Sequence, residues 1–240
     1  MATTDITRKR LARTAGVLYL LVGIFGGFAQ GFVYPKMYAA GDAATTAANV
    51  VANSGLVRVG VVADLFQATV LVVLAMTLYL LLKQIHQTSA VAMVILVVIG
   101  SAITLVNTVF EIEGVRVATG GVYATALRAD ASNLVLLLLD LQHNGLLIAT
   151  IFYGLWLMPL GYLAYRSGGM LPRWLGVLLI AGGACYLVDV LAQFLVPAVG
   201  ERIASLVVIP SAFAEIATLG YLLLIGIRTS MPGVPDAAAA

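Results

Sequence analysis

Asp140 and His143 stand three residues apart in the run Asp140-Leu141-Gln142-His143, a spacing that puts two side chains on one face of a helix. A carboxylate and an imidazole placed this way support two chemistries. Asp140 could fix the tautomer of His143, so that the ring serves as a general base near neutral pH. The pair could instead ligate a divalent metal ion, as Glu-x-x-His ligands do in helical bundles. Asp189 and Glu215, or Asp64, would then complete an oxygen-rich shell. No serine elbow, HExxH pair or paired-histidine signature accompanies these residues, so the sequence leaves open whether the chain is an enzyme.

The same spacing recurs along the chain. Asp64 with Gln67, Asn107 with Glu111, Asp140 with His143 and Asn144, Asp189 with Gln193, and Ser211 with Glu215 each form a polar stripe on one helical face. Asp64, Gln67, Asn107, Asp189, Gln193 and Glu215 are therefore the candidate ligand-binding set. Counted from the inner end of each span at about 1.5 Å per residue, these groups lie about 20–31 Å deep, in the outer third of the membrane. The inner half offers only Thr, Trp, Cys and tyrosines such as Tyr19, Tyr79, Tyr153 and Tyr221. Lacking an ionisable relay there, a continuous ion path is disfavoured, and a carboxylate-rich cavity opening to the outer side is expected. Plainer roles compete with this reading. Asp140 to Asn144 could sit solvated at headgroup level, Asp64 could pair with Arg58, and Glu111 or Glu113 with Arg116. Asp189 and Glu215 fall inside hydrocarbon, where an ionisable residue is a functional hypothesis by default.

The elements that would position these groups follow from composition. The chain has 240 residues, 62% hydrophobic and only 10% charged, against about a quarter charged in a typical soluble domain, and its mean hydropathy is +1.05. Apolar runs of about 20 residues cross a hydrocarbon core. They recur at roughly 11–33, 58–82, 88–110, 143–165, 172–196 and 203–228, which predicts an all-α, polytopic bundle of six transmembrane helices with a flexible tail at 229–240. The basic stretch Thr7-Arg8-Lys9-Arg10 before the first run resembles a signal peptide, but the run is too long for an h-region and reads as a retained helix.

With both termini cytoplasmic, the inner side takes Arg8, Lys9, Arg10, Arg13, Lys83, Arg166, Arg173 and Arg228. The outer side takes the smaller set Lys36, Arg58, Arg116, Arg128 and Arg202, in accord with the positive-inside rule. Trp156, Tyr162, Tyr165 and Trp174 read as interfacial anchors at the inner boundary, and His86 as a solvated loop residue. In the first outer loop, Asp42 is expected to cap a short helix, and Tyr123 to Leu127 to form another. A multi-pass protein of the cell membrane is expected, with the lipid bilayer as its partner.

The net charge of +2 leaves no basic patch for nucleic acid. Cys185 is the only cysteine, which excludes disulfides and Cys-based metal sites. Gly27 and Gly31 complete a small-xxx-small spacing suited to close helix packing or to homo-oligomer formation, and Pro159 and Pro210 should bend their spans.

Several stretches carry a family resemblance. Arg13-Thr-Ala-Gly-Val-Leu-Tyr-Leu20, Gly41-Asp-Ala-Ala-Thr-Thr-Ala-Ala-Asn49, Leu78-Tyr-Leu-Leu-Leu-Lys83 and the long segment from Phe152 through Pro159 and Pro172 to Gly176 resemble domain of unknown function 4386. The resemblance extends over nearly the whole chain and implies a prokaryotic integral membrane protein with about six spans. It assigns no activity and no catalytic residues. Three functions fit the sequence: a polar site for a small ligand or metal, acting on lipid-like substrates; a small proton-coupled secondary transporter; and a non-enzymatic membrane scaffold.

Overall fold

The computed structural model describes residues 2–120 and 130–227, which leaves the expected helix at 123–127 and the tail outside the described residues. The described chain is helical, with no strand. Helix α1 (Ala2–Gly26) runs into a π-helical turn at Gly27–Val33 and a last short helix, α2 (Tyr34–Met37). Then come α3 (Ala43–Ala52), α4 (Ser54–Leu82), α5 (Gln87–Ala118), α6 (Ala131–Tyr165), α7 (Arg173–Leu195) and α8 (Pro197–Gly220), closed by a second π-helical turn at Tyr221–Ile225.

Among the described residues, six helical stretches are long and apolar enough to cross a membrane: Ile6–Met37, Ser54–Leu82, Gln87–Ala118, Ala131–Tyr165, Arg173–Leu195 and Leu206–Ile225. Large apolar side chains such as Val106, Leu206 and Ile216 are 64%, 67% and 65% exposed, which suits a protein whose solvent is lipid. The chain is an all-α transmembrane bundle.

Four spans are longer than the apolar runs alone predict, the second by only the four residues from Ser54. The first continues through Met37, the third to Ala118, and the fourth begins at Ala131 rather than His143. The run Leu134–Leu139 carries the fourth helix up to Asp140, and the polar residues that follow do not end it because they find partners inside the fold. Pro159 and Pro210 lie within α6 and α8. The turn between α6 and α7 uses Gly168 and Gly169 at φ +63° and +95°, values that glycine adopts without steric cost. It is tied by Ser167 Oγ, which accepts from the Leu171 amide at 2.9 Å.

Two compact units emerge. One is formed within Met1–Tyr19, Val73–Val97 and Ile151–Ala240, the other within Leu20–Val72 and Val98–Thr150. In the first unit the helices meet through glycine. A methyl group added at Gly183 would lie 2.5 Å from the Gly154 carbonyl oxygen, and one at Gly176 2.5 Å from that of Gly161. The backbones of α6 and α7 therefore touch at two points seven residues apart on each helix. Ser211 Oγ donates to the Gly182 carbonyl at 2.7 Å, joining α7 to α8. Trp156, expected as an anchor, is instead 2% exposed and lies against Tyr19 at 6.0 Å, whereas Trp174, Tyr162 and Tyr165 are 56%, 36% and 46% exposed.

In the second unit, Val33, Met37, Val50, Val57, Val115, Val117, Val135 and Leu139 form a buried cluster, with Tyr34 and Tyr38 packed against it. Gly27 and Gly31 have nothing within 4 Å of an added Cβ, so their small-residue face is open. Helix α3 starts at the expected cap: Asp42 Oδ1 accepts from the Thr45 amide at 3.0 Å and Oδ2 from the Thr45 hydroxyl at 2.7 Å. These bonds, the amide first, hold the exposed Asp42 carboxyl below its ordinary range.

Two outcomes follow from this packing. Gly183→Ala is expected to cost about 1–3 kcal/mol by overpacking, and Gly23→Ala, with nothing within 4 Å, to be neutral. Thermal unfolding in one detergent reads both, and equal effects would mean that glycine contact does not pack these helices. Because the Asp42 carboxyl is lowered in the folded chain, its cap contributes above the unfolded value, about 3.9. That contribution is lost as pH falls through the lower folded value. Amide signals of α3 should loosen on acidification, and Asp42→Asn, which caps without titrating, should abolish the dependence.

Candidate functional site

The first span approaches the site through its wide turn. Gln30, within the π-helical segment, donates from Nε2 to Asp64 Oδ2 at 2.9 Å. Asp64 is 3% exposed, and its Oδ1 is buried with no hydrogen-bond partner. Gly26 lets the chain pass close to Gln67, whose side-chain amide would sit 3.0 Å from a Cβ there. Glu111, one helical turn beyond Asn107 on α5, is also 3% exposed.

One turn beyond Gln30, Tyr34 and Tyr38 share a helical side, with ring centroids 5.3 Å apart. The Tyr34 hydroxyl and His143 Nδ1 share a hydrogen bond of 3.0 Å whose direction follows the imidazole tautomer. The Tyr38 hydroxyl donates to Asp140 Oδ1 at 2.6 Å. Burial and then the Asp140 bond raise the Tyr38 phenol above its ordinary value, so it remains a donor. The His143 ring lies nearly parallel to both tyrosines, at centroid distances of 6.0 and 5.6 Å.

Tyr38 is placed by a local clamp. Thr46 Oγ1 donates to the Ala39 carbonyl at 3.0 Å and accepts from its amide at 3.1 Å, which ties the loop to α3. Asn107 donates to the Gln142 carbonyl at 3.1 Å. Its carboxamide occupies the space that a side chain at Gly145 would fill, so α5 and α6 close up beside His143.

The expected Asp140–His143 dyad takes a different form. The two residues share a face, as their spacing requires, but each bonds a tyrosine rather than the other. Both side chains are thus held by bonds within the fold. Arg58 pairs with no acid either: between described residues the only ion pair is Arg116–Glu113, at 2.7 Å. Among the described residues, the acids Asp64, Glu111 and Asp140 thus stand without a basic partner.

The first unit holds its own polar group. Glu215 accepts from Tyr19 at 3.0 Å and from Tyr186 at 2.9 Å. Asp189, 5% exposed, accepts from Gln193 at 2.9 Å through Oδ2, while its buried Oδ1 has no partner. Asp64, Gln67, Asn107, Asp140 and His143 therefore belong to one unit, and Asp189, Gln193 and Glu215 to the other. Among the described residues no three His, Cys, Asp or Glu side chains are grouped so as to hold a metal ion, and the expected shell of Asp140, His143, Asp189 and Glu215 is carried no further.

The tyrosines are what sequence reasoning missed. Tyr34 and Tyr38, four residues apart just beyond the apolar run, and Tyr19 and Tyr186 within apolar runs were each legible as phenols that need an acceptor once buried.

Comparison with known proteins gives a family but no activity. Residues 14–226 match the family model described as Domain of unknown function (DUF4386). An uncharacterized protein of Archaeoglobus fulgidus is 46% identical over 44 residues, 18% of this chain and 26% of that protein. The matched segment spans about a quarter of that relative's length. No solved structure matches the chain.

The tyrosine–carboxylate bond should be measurable. In a double-mutant cycle, Tyr38→Phe and Asp140→Asn are expected to couple by about 0.6–1.7 kcal/mol, the span for interhelical hydrogen bonds in membranes. Additive effects on unfolding would show that the bond stabilises nothing.

Proposed function

Since the chain belongs to the family described as Domain of unknown function (DUF4386), for which no activity is assigned, we propose its function from the site itself. The protein binds a small cationic ligand, an amine or a quaternary ammonium group, at Tyr34, Tyr38, Asp64, Glu111, Asp140 and His143. One observation carries this: among the described residues, three carboxylates in and around one aromatic cluster have no basic partner, and one buried oxygen of Asp64 has no donor. Carboxylates supply charge and acceptors, and tyrosine faces attract cations. An intramembrane acid left without a base marks a ligand or ion site by default. The same headgroup chemistry occurs in zwitterionic lipids, so a lipid-like substrate remains within this reading. His143, stacked beside Tyr34 and Tyr38, orients the ligand.

A second reading, proton-coupled transport, is favoured by Asp189, buried with an Oδ1 unpartnered among the described residues, and by Glu215, held by two phenols.

Calorimetry on purified protein with choline, ethanolamine, choline's uncharged carbon isostere and acetate tests the first reading. The cations are expected to bind and the other two not, and Asp64→Asn or Asp140→Asn should weaken binding about tenfold, ~1.4 kcal/mol. Equal heats for the cation and its isostere would overturn it. In proteoliposomes, a pH gradient should drive choline uptake that Asp189→Asn abolishes. Binding without uptake leaves a binding protein and removes transport.

A further inference from the structure

Apart from both polar groups, the end of α4 and the start of α5 enclose an apolar groove of about 330 Å³, lined by Met76, Tyr79, Leu80, Val91, Val94 and Ile95. Its size falls within the range of small-molecule sites, about 300–1,000 Å³. Four of its walls face outward, Met76, Leu80, Val91 and Ile95 being 55%, 51%, 38% and 52% exposed.

The groove ends at a cationic turn. Lys83, one helical turn beyond Tyr79, holds its ammonium 5.5 Å from that ring. Arg8 reaches the same turn, donating to Gln84 Oε1 at 2.9 Å. Neither base pairs with a carboxylate among the described residues, and residues 73–97 contain no acid.

Two further bases repeat the arrangement. Arg166 lies 5.8 Å from the Tyr162 ring and Arg173 5.7 Å from that of Tyr165. Tyrosines with bases beside them mark the level where hydrocarbon gives way to headgroups, so the groove runs from that level into the apolar layer.

We propose that this groove holds an acyl chain of an anionic phospholipid whose phosphate sits at Lys83 and Arg8. A free phosphate would use only the bases. A second copy of the chain would cover the apolar walls but bring no anion to them. An anionic lipid satisfies both ends of the groove, and basic pockets between membrane helices take such headgroups. The inference does not rest on the amine site.

Native mass spectrometry of the full chain in detergent tests it, with phosphatidylglycerol, phosphatidylcholine of the same chains, and glycerol phosphate as probes. Phosphatidylglycerol should be retained about tenfold more strongly than phosphatidylcholine, and glycerol phosphate not at all. Lys83→Gln should abolish the preference, Lys83→Arg should keep it, and Leu80→Trp, at an outward-facing position, should expel both lipids with the unfolding temperature unchanged. Equal retention of the two lipids, an unaltered preference in Lys83→Gln, retention by Leu80→Trp, binding of glycerol phosphate alone, or a lipid-free dimer that Leu80→Trp disrupts would each overturn the proposal.

Discussion

Hydrocarbon gives one apolar helix no reason to prefer another helix over lipid, so the contacts between helices here depend on how closely their backbones can come. At Gly154 and Gly183, and again at Gly161 and Gly176, no side chain stands between α6 and α7. Dispersion is short-ranged and collectively large, and backbone contact gathers more of it than interleaved leucines at a greater separation. The second π-helical turn follows the same logic, with a Cβ at Gly16 lying 2.7 Å from the Leu223 amide nitrogen. Once these approaches are fixed, the large buried side chains around them, Trp156, Leu157, Leu160 and Leu179 among them, have little freedom left.

Polar groups meet the same constraint from the other side. In the absence of water, each hydroxyl, amide and carboxylate needs a partner from the protein, and the phenol is the donor that Asp140 and Glu215 receive from neighbouring elements. Tyr19 and Tyr186 complete Glu215, Tyr38 completes Asp140, and Tyr34 meets His143. Tyrosine suits the task because its ring packs as an apolar body while its hydroxyl reaches an acid from a neighbouring helix. An arginine in that place would neutralise the acid. A phenol satisfies it and leaves its charge available, which is why Asp140 can be both held in place and attractive to a cation.

Much of this fold is legible in the sequence. The apolar runs give the six spans, and Asp42 announces α3 through its cap to Thr45. The polar stripes identify Asp64, Asn107, Asp140, His143, Asp189 and Glu215 as the groups needing an explanation, because helical spacing is a local property. Their partners are harder to see. Tyr34 meets His143 across 109 positions of sequence and Tyr19 meets Glu215 across 196, and no local pattern encodes a pairing of that range. Asp140 and His143 illustrate the difference: spacing puts them on one face, while the choice between bonding each other and bonding two tyrosines belongs to helices packed beside them. The fourth helix extends beyond its apolar run for a related reason. An aspartate and a histidine in sequence suggest the membrane boundary, and only their tertiary partners let the helix continue through them.

The π-helical segment at Gly27–Val33 bears on how this chain should be aligned with its relatives. A π-turn widens the ring of each hydrogen bond by one residue, so residues beyond it are rotated relative to an uninterrupted α-helix. Gln30 sits within that segment, and Tyr34 and Tyr38 come after it. A relative that kept a plain α-helix here would need one residue fewer to present the same phenols to the same neighbours. Homologous positions in the first span are therefore set by angular phase rather than by residue count. An ungapped comparison across this segment would pair Tyr34 with the wrong face of its counterpart, and a one-residue gap there would have a structural meaning.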